Sequence, residues 1–141
     1  MTEYTDEQVL ANRRTWIEFL KDPRRRKYKS FLDNGRGARC CLGHACFVLR
    51  IPRVIGAEGA IEYGAAGDVE LAPRELVEAV GLWSESGDTQ LRFTVELGDT
   101  GATNLTIMND ETDMTPQQIG AYLETVIMGG PNTPFRPIGR D

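Results

Sequence analysis

No apolar run in this chain approaches the roughly 18 residues that a helix needs to cross a bilayer. The opening "MTEYTDEQ" has neither the basic nor the apolar stretch of a secretory signal. A cytosolic protein is therefore the expectation, with no membrane partner. Cysteine is scarce and odd in number. Two of the three thiols, Cys40 and Cys41, are adjacent, and neighbouring Cβ vectors are poorly placed for a bridge. Free thiols in a reducing compartment fit better. Histidine is scarcer still: His44 stands alone, so any imidazole base or ligand must be this residue. No internal repeat or linker divides the 141 residues, and 40% hydrophobic with 26% charged residues is far from the composition of a disordered chain.

What is present is charge, unevenly spread. The formal net charge is −5, yet residues 1–53 hold 12 of the 16 Lys and Arg against 6 of the 21 acids, a balance of +6, which leaves −11 for the remainder. Such a division marks either a basic binding face on an acidic protein or two halves folded against each other.

Periodicity and turn chemistry predict an α+β fold: one compact domain over residues 1–130, with N- and C-terminal amphipathic helices packed on a small antiparallel sheet, and a flexible tail over 131–141. Thr5 and Gln8 form a capping box. Val9, Leu10, Trp16, Ile17 and Leu20 then recur on one face, with Arg13, Arg14 and Glu18 mostly elsewhere, and Asp22-Pro23 ends the helix. Alternation on either side of Asp33-Asn34-Gly35 predicts a hairpin, its second strand running into a short helix over 42–49. The glycine-rich residues 54–73 read as a hairpin or loop flap, with strand-like pieces over 60–63 and 69–71. Pro73 suits the first position of a helix whose apolar face is Leu76, Val77, Val80 and Leu82. "TQLRFTVELG" (89–98) alternates like a strand, with Leu91, Phe93, Val95 and Leu97 on one side. Leu105 to Asn109 reads as a helical turn. "TPQQ" from Thr115 is a second capping box ahead of a stripe of Ile119, Tyr122, Leu123, Val126 and Ile127, stopped at Gly129-Gly130.

Lys27-Tyr28, the glycines that follow, and "CCLG..C" (Cys40, Cys41, Leu42, Gly43, Cys46) resemble a family of small proteins common in bacteriophages and in bacterial genomes carrying phage-like genes, whose hallmark reads "KY…G…CCLGVLC". "LAPRELVEAVGL" (71–82) and "LTIMND…QQIGAYLE" (105–124) are similar to later segments of that family. The chain departs from the pattern at His44-Ala45, where Val-Leu is usual, and at Phe47, where an acid often sits. The resemblance implies a viral accessory context, in which proteins of this size often antagonise host defences.

Three sets of residues carry candidate chemistry. The first is "RCCLGHACFVLR" (39–50). As a zinc site it offers Cys40, Cys41, His44 and Cys46 within seven residues and no second pair. As a nucleophile it offers a thiol at a helix start beside Arg39, His44 as base, and no identifiable orienting group. As core it offers small side chains for a tight helix contact at Gly43. The second is the acidic group Asn109, Asp110, Glu111 and Asp113, which lacks calcium-loop spacing and more readily flanks a helix N-terminus. The third is the basic set Arg24, Arg25, Arg26, Lys27, Tyr28, Lys29, Arg36 and Arg39. Arginine forks match phosphate oxygens, and tyrosine can stack on a base. A solvated basic surface is the plain alternative.

The expectation is a non-enzymatic binding protein with no cofactor and no metal. Its ligand set would be the eight basic-segment residues with Trp83, Asn109 and Asp110, and Tyr28, Tyr63 or Trp83 would pack on a base while residues 56–67 close over it. The ligand would be a small nucleotide-like molecule, a defence signal sequestered in the host cytosol. Nucleic acid is disfavoured, because a pI of about 5.0 repels long polyanions. The rivals are a protein inhibitor of a host defence enzyme or complex and a cysteine-dependent enzyme. A homo-oligomer is compatible with each.

Overall fold

The computed structural model describes residues 4–56, 59–88, 104–130 and 133–138. Among these the fold is α+β, with five helices and two separate two-stranded pieces. Helix α1 (Asp6–Lys21) starts at the expected capping box, where Thr5 and Gln8 exchange side-chain and backbone hydrogen bonds. Trp16, Ile17 and Leu20 face the core. Helix α5 (Pro116–Thr125) starts at the second capping box, on Thr115 and Gln118, and packs along α1. Gly120 is needed at this crossing, since an added Cβ would press within 3.0 Å of the Leu20 Cβ and 3.3 Å of the Ile17 carbonyl oxygen.

Between them lies α2 (Cys41–Val48), capped by Cys40, whose Sγ accepts the Gly43 N–H at 3.3 Å. Gly43 sits against the backbone of Leu32, where an added Cβ would collide with the carbonyl oxygen. Helices α3 (Arg74–Val80) and α4 (Leu105–Asp110) complete the helical shell. Pro73 proves to be the N-cap of α3 rather than its first residue, and Gly81 ends the helix at φ 67°.

The hairpin expected around Asn34-Gly35 takes another form. The turn closes, with Asn34 N–H donating to Ala38 C=O at 3.1 Å and an antiparallel bridge joining Asp33 to Arg39. The strands β1 (Arg26–Lys27) and β2 (Ala38–Arg39), however, are parallel. The chain reverses a second time at Ser30, whose φ of +74° is held by its N–H donating to Asp110 Oδ1 at 2.9 Å. Two reversals between paired strands leave them pointing the same way. The antiparallel pair is instead β3 (Arg53–Ile55) with β4 (Ile61–Tyr63). The strand expected over 89–98 lies outside the described residues.

One further expectation changes. Arg13, expected mostly off the buried face, is 1% exposed. Its guanidinium donates to Val80 O at 2.6 Å, Ile127 O at 2.7 Å, Arg136 O at 2.8 Å and Gly81 O at 3.2 Å, and lies 4.3 Å from the Phe135 ring centroid. Burial lowers its pKa to about 10. Four carbonyls can share one guanidinium, because its five N–H donors spread over its plane; Gly81 O also accepts the Arg136 N–H at 2.8 Å. The same hub holds residues 133–138, which fall within the expected tail. Phe135 is fully buried, edge-on to Trp16, and bridged to Leu82.

Candidate functional site

The cysteine helix is sealed. All three thiols are free and buried, and burial pushes Cys40 up to about 12 and the other two well above their ordinary value. The helix-start position of Cys40 and Cys41 favours a thiolate, but desolvation outweighs it. Cys41 Sγ is 3.7 Å from Leu105 O, and the Trp16 indole donates to Cys41 O at 3.0 Å. His44 is wholly buried. Its Nε2 lies 2.8 Å from the Arg26 carbonyl, which can only accept, so the proton is on Nε2 and Nδ1 is left without a partner. Burial lowers its pKa to about 4. Among the described residues no group of three or more His, Cys, Asp or Glu is arranged to hold a metal ion.

The basic segment divides by partner. Arg24 is bonded to Asp22 at 2.7 Å and holds that carboxyl well below the ordinary carboxylate range. Lys27 is spent on structure, its Nζ donating to Thr112 O at 3.0 Å and Met114 O at 2.8 Å across the α4–α5 connection. Asn109 and Asp110 are also structural. Asn109 accepts from Cys41 N–H and donates to Tyr28 O, while Asp110 holds Ser30. Trp83 is tied by its backbone to Pro134, and nothing among the described residues joins it to the basic segment. Arg26 donates to Arg36 O at 2.8 Å. Lys29 and Arg36 are exposed.

Arg25 and Arg39 are brought together with residues that sequence reading missed. The Arg25 guanidinium lies 3.6 Å from the centroid of Phe19, whose ring is 5.9 Å from that of Phe47. Arg39 lies 3.7 Å from the Phe47 ring and Arg53 5.6 Å. The result is a ladder of arginine, two phenylalanines and two arginines. Phe47 remains 40% exposed within it. Both outer arginines are anchored to one carboxylate. Asp33 Oδ2 accepts from Arg39 Nε at 3.1 Å, Arg53 Nη1 at 3.2 Å and Tyr63 OH at 2.6 Å, and Oδ1 accepts from Gly35 N–H at 2.8 Å. Burial alone would raise the Asp33 pKa, but the donors of Tyr63, Gly35 and Arg39 outweigh it and the net shift is downward. Tyr63 is consequently a buried anchor of this network rather than a stacking surface. Neither phenylalanine carries a local signal for the ladder, because neither lies in the basic run.

Of two hollows, one shares Asp33 with this network and the other shares none of its lining with it. A cleft of about 290 Å³ is lined by Tyr28, Phe31, Asp33, Asn34, Ile61 and Val69 among others. A larger cavity of about 510 Å³ is lined by Tyr4, Asp68, Glu75, Glu78 and Glu85 with Arg74. The carboxylates of the larger cavity repel an anion, so size and suitability part company. An α+β domain with a guanidinium-lined aromatic face is what the fold and site define. No family model, curated protein or solved structure matches the chain.

Proposed function

We propose that this chain is a binding protein without catalytic activity that holds a phosphate-bearing, nucleotide-sized ligand on the arginine–phenylalanine face, as a phage-type accessory protein that sequesters a nucleotide-derived defence signal. The observation that carries this reading is that Arg39 and Arg53 both lie over the exposed ring of Phe47 while sharing the buried carboxylate of Asp33. Two guanidinium groups on one carboxylate leave a cationic surplus. Their orientation is fixed before a ligand arrives, which reduces the ordering cost of binding. The planar fork suits phosphate oxygens, and the ring between the guanidinium groups offers a base a surface to stack on. The buried, protonated thiols favour binding over a cysteine-dependent reaction. Overall acidity favours a small ligand over a long polyanion, because distant repulsion is screened beyond a Debye length of about 8 Å.

Sequestration requires binding of roughly 8 to 12 kcal/mol, from micromolar to nanomolar. Isothermal titration against cyclic nucleotides and ADP-ribose derivatives tests the reading. At least one is expected to bind, and Phe47→Ala and Arg53→Ala are each expected to weaken it about tenfold or more. Flat titrations across the panel reject it.

A second reading, an inhibitor that docks on a host defence protein, is favoured by β3, where Val54 and Ile55 are 62% and 74% exposed. Pull-down from host lysate with wild type and Val54→Asp discriminates. A stoichiometric partner lost in the variant supports the inhibitor, whereas a ligand-sequestering protein recovers none.

A further inference from the structure

We infer that the cleft beside Asp33 is the base-recognition subsite of this ligand, taking a planar heterocycle that stacks on Phe31 and presents a hydrogen-bond acceptor to the amide of Asn34. This rests on the reading of the arginine–phenylalanine face as a phosphate site. Four observations converge on the cleft.

Its volume of about 290 Å³ falls just below the ~300–1,000 Å³ typical of small-molecule sites. That is the scale of one nucleoside. Its wall carries two aromatic rings, Tyr28 and Phe31, with centroids 6.2 Å apart and planes 33° apart. Phe31 is 43% exposed and belongs to no core cluster. An aromatic ring left half in water beside a cleft gains from a flat partner. Ile61 and Val69 supply the apolar remainder.

The polar group is fixed in orientation. Asn34 Oδ1 accepts from Arg36 N–H at 2.6 Å and from Ala38 N–H at 3.1 Å. These two bonds settle which end of the amide is oxygen. Nδ2 has no hydrogen-bond partner among the described residues, so the cleft wall offers donors to an acceptor edge, such as a ring nitrogen or carbonyl.

The cleft also adjoins the phosphate site. Asp33 lines it and is the carboxylate that holds Arg39 and Arg53. Since its oxygens already accept four hydrogen bonds, the carboxylate is compensated and does not bar an anionic ligand. A base in the cleft and phosphates on the guanidinium groups would thus meet the two sides of the same residue. Lys29 and Arg36, exposed on the same two loops, add positive potential at the approach.

Titration calorimetry with the 5′-diphosphates of adenosine, guanosine, cytidine and uridine, and with inorganic pyrophosphate, separates the two subsites. Wild type, Phe31→Ala, Asn34→Asp and Arg53→Ala are compared, each after its unfolding transition confirms folding. The expected result is that Phe31→Ala and Asn34→Asp weaken the preferred nucleotide tenfold or more. Phe31→Ala leaves pyrophosphate unchanged, whereas Arg53→Ala weakens both. If both cleft variants bind the nucleotide as wild type does, the subsite is overturned while the phosphate face stands. If wild type binds neither nucleotides nor pyrophosphate, the phosphate face fails and the subsite fails with it.

Discussion

Helix α2 and the segment just before it, residues 24–39, adjoin in the chain and differ in almost every physical respect. The helix and its N-cap hold the groups usually associated with chemistry, three thiols and an imidazole, and bury them all. The segment holds mostly guanidinium and ammonium groups and keeps many at the surface, yet spends several on internal partners. Reactivity follows environment, because a thiol needs a stabilised thiolate and desolvation removes it. Availability follows the partner count. Arg24 and Lys27 are engaged within the chain and Arg39 is nearly buried on Asp33, whereas Arg53, just beyond α2, shares that carboxylate with its side chain 45% exposed.

The largest effect is expected where the two regions meet, at Asp33. Replacing it with Ala leaves the nearly buried Arg39 without its counter-charge and Tyr63 without its acceptor. Loss of one partner of a buried pair typically costs about 3–5 kcal/mol. Urea denaturation of Asp33→Ala measures this. A loss under about 1 kcal/mol would mean that the network does not organise the arginine face. The acid limb provides a second readout. The folded carboxyl lies below its ordinary 3.8, so its stabilisation is present above that value and is lost as pH falls through the lower folded value. The variant is expected to lack this part of the acid limb.

The next test concerns the helix alone. Gly43→Ala sets a methyl against the Leu32 carbonyl oxygen, a backbone group that cannot rotate aside. The expected loss is about 3 kcal/mol, the upper end of the overpacking range. Thermal or urea unfolding checks it. A neutral substitution would show that α2 is loosely packed and that the seal around its thiols is incomplete.

How far these regions were readable in the sequence depended on the range of the interactions that set them. The N-terminal ends of α1 and α5 were readable because capping boxes close within four residues, whereas α5 stops at Thr125, short of the expected Gly129-Gly130. The burial of "CCLG..C" was readable because small side chains beside a glycine favour a close helix contact. The α+β class followed from the same local signals. Arg13 was misread because its four acceptors come from residues 80, 81, 127 and 136, and helical periodicity carries no information about carbonyls so distant in the chain. The parallel pairing of β1 and β2 was missed because the deciding reversal at Ser30 is held by Asp110, eighty residues away. At the candidate site, Arg25 and Arg39 stood out by charge alone. Phe19 and Phe47 did not, since neither lies in the basic run and only folding stacks them.

The smallest effect sharpens the contrast within α2 itself, at His44, the chain's single histidine. The folded imidazole has a pKa of about 4 because burial opposes its charge, with the cations Arg39 and Arg25 adding to the shift, the Arg26 carbonyl opposing it most and Asp33 opposing it further. The unfolded chain should titrate near the ordinary 6.5. Between these values the unfolded state binds the extra proton, so stability falls as pH is lowered from about 6.5 to about 4 and levels off below. At ~1.4 kcal/mol per pKa unit the upper limit is about 3.5 kcal/mol, and proton uptake through local opening brings the effect well below it. Asp68 opposes it: burial, then Glu85 and Glu75, raise its carboxyl, so the folded state takes up that proton first and gains stability as pH falls. His44→Val retains the Asp68 contribution and removes that of His44. Urea midpoints for both proteins across pH 4 to 7.5 should therefore diverge in slope whatever their absolute difference. Parallel slopes would mean that water reaches the imidazole in the folded protein, and the sealed helix would then be less distinct from the open segment beside it.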